Sequence, residues 1–158
     1  MNKLLVSFVF FSLVILPSCG FKVLEKSQLL NYNIKEFETS GNKKINYHIK
    51  NNIKNVIKSK NAQESILIKI KSDQNKSIKE KNDKNQITKY QIDLTVNAEI
   101  NFLEKRIKKN INQSINGDYN VEDNHQSTLN NQNTLELYLA KKASRNIINQ
   151  LVLVINDL

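Results

Sequence analysis

Lys89-Tyr90-Gln91-Ile92-Asp93-Leu94-Thr95-Val96-Asn97-Ala98-Glu99-Ile100-Asn101-Phe102 alternates polar and apolar side chains without a break. Successive side chains of a strand point to opposite faces, so this stretch buries Tyr90, Ile92, Leu94, Val96, Ala98, Ile100 and Phe102 on one face. The other face carries Lys89, Gln91, Asp93, Thr95, Asn97, Glu99 and Asn101, which water or a polar partner must meet. A strand with one wet face belongs to an antiparallel-type sheet.

Working outward, Ile66, Ile68 and Ile70 alternate with Leu67, Lys69 and Lys71 and predict a strand over about 65–72, with a possible extension through Ile78. The charged and amide-rich stretch 73–86 is read either as an exposed hairpin loop or as strand ends projecting beyond the core. On the other side, Glu104-Lys105-Arg106-Ile107-Lys108-Lys109 reads as a basic turn. Ile111, Gln113 and Ile115 open a last strand running to Tyr119 or Val121. Upstream, Leu30, Tyr32 and Ile34 predict a first strand, with a bulge or an end near Lys35-Glu36.

Two stretches switch to the helical period. Ile45, Ile49, Ile53, Val56 and Ile57 recur at spacings of three and four after Ser40-Gly41-Asn42, predicting an amphipathic helix over about 43–60, with Lys58 and Lys60 at its electronegative end. Ala140, Ala143, Ile147, Leu151, Val154 and Leu158 mark a second, from about Leu135 to Asn156, and the polar 124–133 can start it. The expected fold is α+β. It is a two-layer sandwich of a four-stranded, mainly antiparallel sheet with two helices on one face, in the order β-α-β-β-β-α.

The amino terminus has a different character. Met1-Asn2-Lys3 carries one positive charge, and Leu4 to Leu16 is apolar and uncharged. That run is well short of the ~20 residues a membrane-spanning helix needs. It reads as a secretory signal. Leu16-Pro17-Ser18-Cys19 resembles the bacterial lipobox, whose cysteine receives diacylglycerol and, after cleavage, a further acyl chain. Pro17 departs from the usual alanine or serine. Several acyl chains at ~0.8 kcal/mol per CH2 anchor stably, whereas one does not. The division is then residues 1–18 as cleaved signal, 19–30 as lipidated terminus and tether, and 31–158 as one domain. Cys19 is the only cysteine, so no disulfide forms within one chain. In the Gram-negative sorting system, aspartate after the cysteine retains lipoproteins in the inner membrane. Gly20 stands there, which implies the outer membrane, periplasmic side.

Lysine and arginine number 24 against 15 acids, for a net charge of +9. For an exported protein this suggests anionic lipid or lipopolysaccharide rather than nucleic acid, although the abundance of Lys, Asn and Ile also fits translation of an AT-rich genome. No enzyme constellation stands out. His48 and His125 lack ligand partners at metal spacing. Asp93 and Glu99 are ~20 Å apart along one strand. Asp118 and Asp123 read as turn chemistry, and the five tyrosines (Tyr32, Tyr47, Tyr90, Tyr119 and Tyr138) as core-edge residues. Neither an enzyme nor a cofactor is expected, beyond the covalent lipid.

Three features together resemble the LPS-assembly lipoprotein (LptE) family in its alphaproteobacterial form, over nearly the whole chain. They are Cys19-Gly20-Phe21-Lys22-Val23-Leu24, the strand and helix order, and Tyr119-Asn120-Val121 before the last helix. Asn131-Gln132-Asn133 and Leu135 depart from the acidic, alanine-rich helix usual there. The resemblance implies an outer-membrane lipoprotein that plugs the LptD β-barrel, helps it assemble and assists lipopolysaccharide delivery to the outer leaflet. A polar exterior suits a wet barrel lumen. Lipid A phosphates would favour Lys76, Lys79, Lys81 and Lys84 in the long hairpin and Lys105, Arg106, Lys108 and Lys109 in the basic turn. Solvated turn charges are the plain alternative for these eight. An adaptor of another envelope machine (barrel assembly or phospholipid transport), or a free anionic-lipid-binding module, are the other functions the sequence admits.

Overall fold

A computed structural model describes residues 26–59 and 62–158. The signal, Cys19 and the start of the tether lie outside the described residues. The fold is α+β, and its elements are a 3-10 turn at Lys26–Asn31, then β1 (Tyr32–Gly41), α1 (Lys43–Val56), β2 (Glu64–Lys81), β3 (Ile87–Phe102), β4 (Ile107–Asn120) and α2 (His125–Asn156). One mixed, mostly antiparallel sheet has the order β1-β2-β3-β4. β1 runs parallel to β2, with α1 between them in sequence, while β2-β3 and β3-β4 are antiparallel hairpins.

Both helices lie on one face of the sheet. Ile66, Ile68 and Ile70 of β2, the even residues Ile92 to Phe102 of β3 and Ile111 of β4 meet Ile45, Ile49 and Ile53 of α1 and Leu139 to Val152 of α2 in one buried cluster. The strand alternation and the two helical stripes thus converge on a single core. Removing a side chain of Ile or Leu size from such a site costs about 2–5 kcal/mol.

Several boundaries differ from the periodic reading, each for a local reason. Leu29 is wholly buried, so the described end of the expected tether belongs to the domain rather than to a free linker. The β1 irregularity falls between Ile34 and Glu36, leaving Lys35 as the bulged residue, and the strand continues to Gly41. α1 ends at Val56 rather than at 60, because Ile57 leaves helical geometry and buries its side chain. The basic residue of its last turn is therefore Lys54. β2 and β3 pair almost to their tips, so 73–81 is strand and only Asn82–Gln86 is turn. Asn82 fixes that turn by accepting the N–H groups of Lys84 and Gln86 on its side chain. β4 begins at Ile107, so Lys108 and Lys109 sit on a strand and not in the basic turn. α2 begins at His125, almost three turns before Leu135, so the polar stretch 124–133 does start the helix, with Asn124 as its cap. Tyr47 and Tyr138 are 64% and 57% exposed, outside the core edge expected of them, whereas Tyr32 and Tyr119 are buried.

Candidate functional site: the open face and the two ends of the sheet

The face of the sheet away from the helices is polar except at Leu67. Lys69, Lys71 and Asp73 of β2, Asp93, Thr95, Asn97 and Glu99 of β3, and Asn110, Asn112, Ser114 and Asn116 of β4 line it. A shallow concavity of about 420 Å3 lies between Glu38, Lys69, Asn97, Glu99, Asn110 and Asn112. Two charge pairs cross strands on this face, Glu38 with Lys69 at 2.9 Å and Glu99 with Lys108 at 3.1 Å. The hydrogen bond from Lys69 holds the Glu38 carboxyl below its ordinary pKa. Around them is a broad field of amide and hydroxyl groups, interspersed with Lys71, Asp73 and Asp93. It can exchange hydrogen bonds with another polar surface at little desolvation cost, and no arrangement on it is suited to proton transfer.

The eight basic residues singled out from the sequence divide into two groups at opposite ends of the sheet. β3 connects the two ends, and its 16 residues extend over about 50 Å at ~3.3 Å per residue. No single lipid A head group touches both.

At the β2–β3 tip, Lys79 pairs with Asp118 at 2.7 Å and Lys81 donates to Asn85 at 2.9 Å. Lys79 draws the Asp118 pKa down. Lys89, across from Glu80 at 2.7 Å, does the same to that carboxyl. Lys84 stands in the turn itself. Lys76 does something else: its ammonium lies 4.1 Å from the Tyr90 ring centroid and donates to Gln132 of α2 at 3.1 Å. Tyr90 and Tyr119 stack at 5.8 Å beneath it. Lys76 is thus a strut between the hairpin and α2 rather than a free surface charge.

At the other end, Lys105 donates to the Tyr32 hydroxyl at 3.1 Å and lies 3.5 Å from Glu64. Burial raises the Tyr32 pKa, and Lys105 only partly opposes that. The same hydrogen bond raises the Lys105 pKa. Arg106 is exposed and takes a positive φ of 54°. Lys108 and Lys109 follow on alternate faces of β4 and are exposed.

One cluster has no signal in the periodicity. Glu136 is only 6% exposed. Its carboxylate accepts from Lys44 of α1 at 2.7 Å, Gln132 at 2.9 Å and Gln74 of β2 at 3.1 Å. Burial pushes the Glu136 pKa up, but the three hydrogen bonds together overcome it and leave the group below the ordinary value. Gln132 also accepts from the Tyr119 hydroxyl at 2.9 Å, and Asn42 donates to Gln74 at 2.8 Å. This network ties α1, α2, β2 and β4 together where the apolar core ends. An acidic residue inside a helical stripe was the one available hint of it. Among the described residues, no group of three His, Cys, Asp or Glu side chains is arranged to hold a metal. No described helix is long and apolar enough to cross a membrane.

No protein-family model matches the chain, and no curated protein matches it. Solved structures do share its fold. Rare lipoprotein B from Shewanella oneidensis superposes with a TM-score of 0.60 at 12% identity, covering 77% of this chain and 96% of that one. A protein from Caulobacter crescentus described as a lipoprotein superposes with a TM-score of 0.59 at 12% identity, over 84% of this chain and 95% of that one. At such identity the likeness is one of fold.

Proposed function

We propose that this chain is a lipoprotein of the LPS-assembly kind, anchored through acylated Cys19 after removal of residues 1–18. On this reading it resides at the periplasmic side of the outer membrane, occupies the lumen of an LptD-like β-barrel, helps that barrel assemble and assists lipopolysaccharide insertion. The observation that carries the reading is the shared fold with rare lipoprotein B, whose chain is covered almost end to end. The lipobox-like Leu16 to Cys19 supports the anchor, and the resemblance over residues 19–24 and 119–121 supports the family.

The amide-rich open face supports the mode of action. A plug inside a wet lumen works by hydrogen bonds and shape, without a reaction, and its surface must remain compatible with water while the barrel folds around it. The β2–β3 tip, with Lys79, Lys81 and Lys84, is the end of the domain farthest from the tether, where a plug would present basic groups to lipid A phosphates. The test is affinity purification of the tagged protein from outer membranes. A large β-barrel should co-purify in a constant ratio, and depletion should lower both folded barrel and surface lipopolysaccharide. Normal barrel folding and normal surface lipopolysaccharide after depletion would reject this function.

A further inference from the structure

We infer that the tether end of the domain, centred on the β3–β4 turn with Lys105 and Arg106, is a contact surface for the anionic phospholipid leaflet that holds the Cys19 anchor. The inference rests on the proposed lipidation. It concerns a different end of the molecule from the one proposed to meet lipopolysaccharide.

Topology gathers this surface. β1 starts beside the start of β2, with Tyr32 opposite Glu64, and β2 there pairs with the end of β3 at Phe102. The 3-10 turn that follows the tether lies at the same end, with Asn31 accepting from the Gln63 N–H at 3.1 Å. The bond from Lys105 to Tyr32 fixes the β3–β4 turn beside it. α2 runs from Gln132 near Tyr119 to Asn146 near Gln113, back along β4, and so ends here too. Lys54 and Lys58 line a hollow with Asn33 and Ile34 on the α1 side of the same end.

Chain length then sets proximity. From Cys19 to Lys26 is seven residues, which extend over at most about 25 Å. An acylated Cys19 therefore keeps this end within that distance of its own bilayer surface, while the β2–β3 tip lies the whole length of β3 farther away.

The chemistry fits a leaflet. Arg106 and Lys109 are exposed, and Lys108, itself exposed, is paired across the strand with half-buried Glu99. Glu64 faces Lys105, and Glu104 is occupied in accepting the Ser65 N–H at 2.8 Å. Two further carboxylates among the described residues lie at this end, Glu36 of β1 and Asp157 at the end of α2. Leu30, in the 3-10 turn two residues before β1, is 51% exposed, and Leu158 is also exposed. Apolar side chains beside lysine and arginine suit a head-group boundary, where each basic residue contributes roughly a fivefold gain in binding.

The experiment reconstitutes the lipidated chain in nanodiscs of phosphatidylcholine alone or mixed with phosphatidylglycerol, and follows amide hydrogen exchange. On the anionic discs at low salt, the amides of 103–109 should exchange several-fold more slowly than on neutral discs, and high salt should remove the difference. The Arg106→Gln/Lys109→Gln variant should lose most of the protection. Lys81→Gln/Lys84→Gln, at the far tip, should leave it intact. Equal exchange on both lipids, or equal protection of 82–86, overturns the inference. Mass spectrometry of the amino-terminal peptide reads the acyl chains separately, and an unacylated Cys19 overturns it as well. A protein that shows the lipid-dependent protection but co-purifies with no barrel would reject the translocon reading alone.

Discussion

At Gly41 the backbone passes from β1 into α1 with φ of 91°, and an added Cβ would sit 1.9 Å from the Ser72 carbonyl oxygen. The close approach lets the next residue, Asn42, donate its N–H to that same oxygen at 3.2 Å and cap α1. Because the obstruction is backbone, no rotamer relieves it. Gly41→Ala should destabilise the domain by about 2–4 kcal/mol, read as a lower urea midpoint at unchanged slope. Glu136 poses the electrostatic counterpart. Its folded pKa lies below the ordinary 4.5. The stability it contributes is therefore complete above that ordinary value and is lost as pH falls through the folded one. Glu136→Gln should flatten the dependence of the urea midpoint on pH below about 4.5, and leave the profile near pH 7 parallel to that of the parent chain. Lys44→Met leaves the carboxylate with amide donors only. It should cost about 1–2 kcal/mol at neutral pH, less than a fully buried pair because Lys44 is half exposed.

Among the elements, α2 is two helices in character. Its C-terminal part, from Leu139 to Val152, is held by apolar burial. Its first turns are held by amides and hydroxyls: Thr128 to Glu122, Asn131 to Asn120, and Gln132 to Tyr119 and Glu136. Amides of 129–133 should therefore exchange faster than those of 143–151, and Tyr119→Phe should widen the gap while costing about 1 kcal/mol. Gly117 sets how closely this part of the helix sits. A Cβ there would be 2.6 Å from the Leu135 Cδ1, the far end of a flexible side chain. Gly117→Ala should cost about 1–2 kcal/mol, and a Gly117→Ala/Leu135→Ala double-mutant cycle should show coupling between the two sites.

The same contrast explains what the sequence could disclose. β3 and the apolar halves of both helices have a period, because one face must leave water. The start of α2 has none, because Gln126, Asn130 and Asn131 keep no apolar face, so the sequence marks 124–133 only as a stretch able to start the helix. The tips of β2 and β3 are paired by backbone hydrogen bonds, which are indifferent to side-chain hydropathy. Lys76 reads in sequence as one of the tip lysines, because a lysine seated on two tyrosines looks there like any other.

At the scale of the molecule, charge and polarity are unevenly distributed. α1 carries Lys43, Lys44, Lys50 and Lys54 with no carboxylate, whereas the open face mixes charges of both signs, two pairs of them bridging strands, with amides between them. A partner enclosing the domain would meet hydrogen-bonding groups on the sheet side and lysines on the helix side. Thr95→Arg/Asn97→Arg, two exposed positions in the middle of the open face, should change stability by no more than about 0.5 kcal/mol. If the open face is the surface a barrel surrounds, the same pair should abolish co-purification. Retained barrel association at full yield would instead place the contact on the helical layer. The division of the eight basic residues follows from the antiparallel order that the sequence implies. One group precedes β3 and the other follows it, and the antiparallel course of β3 puts them at opposite ends.

The length of the β2–β3 hairpin has one more consequence. A bilayer with its head groups is about 40–45 Å thick, and the 16 residues of β3 extend over about 50 Å. A domain standing upright on a lipid fixed in one leaflet therefore carries, in its own strands, enough length to reach past the other.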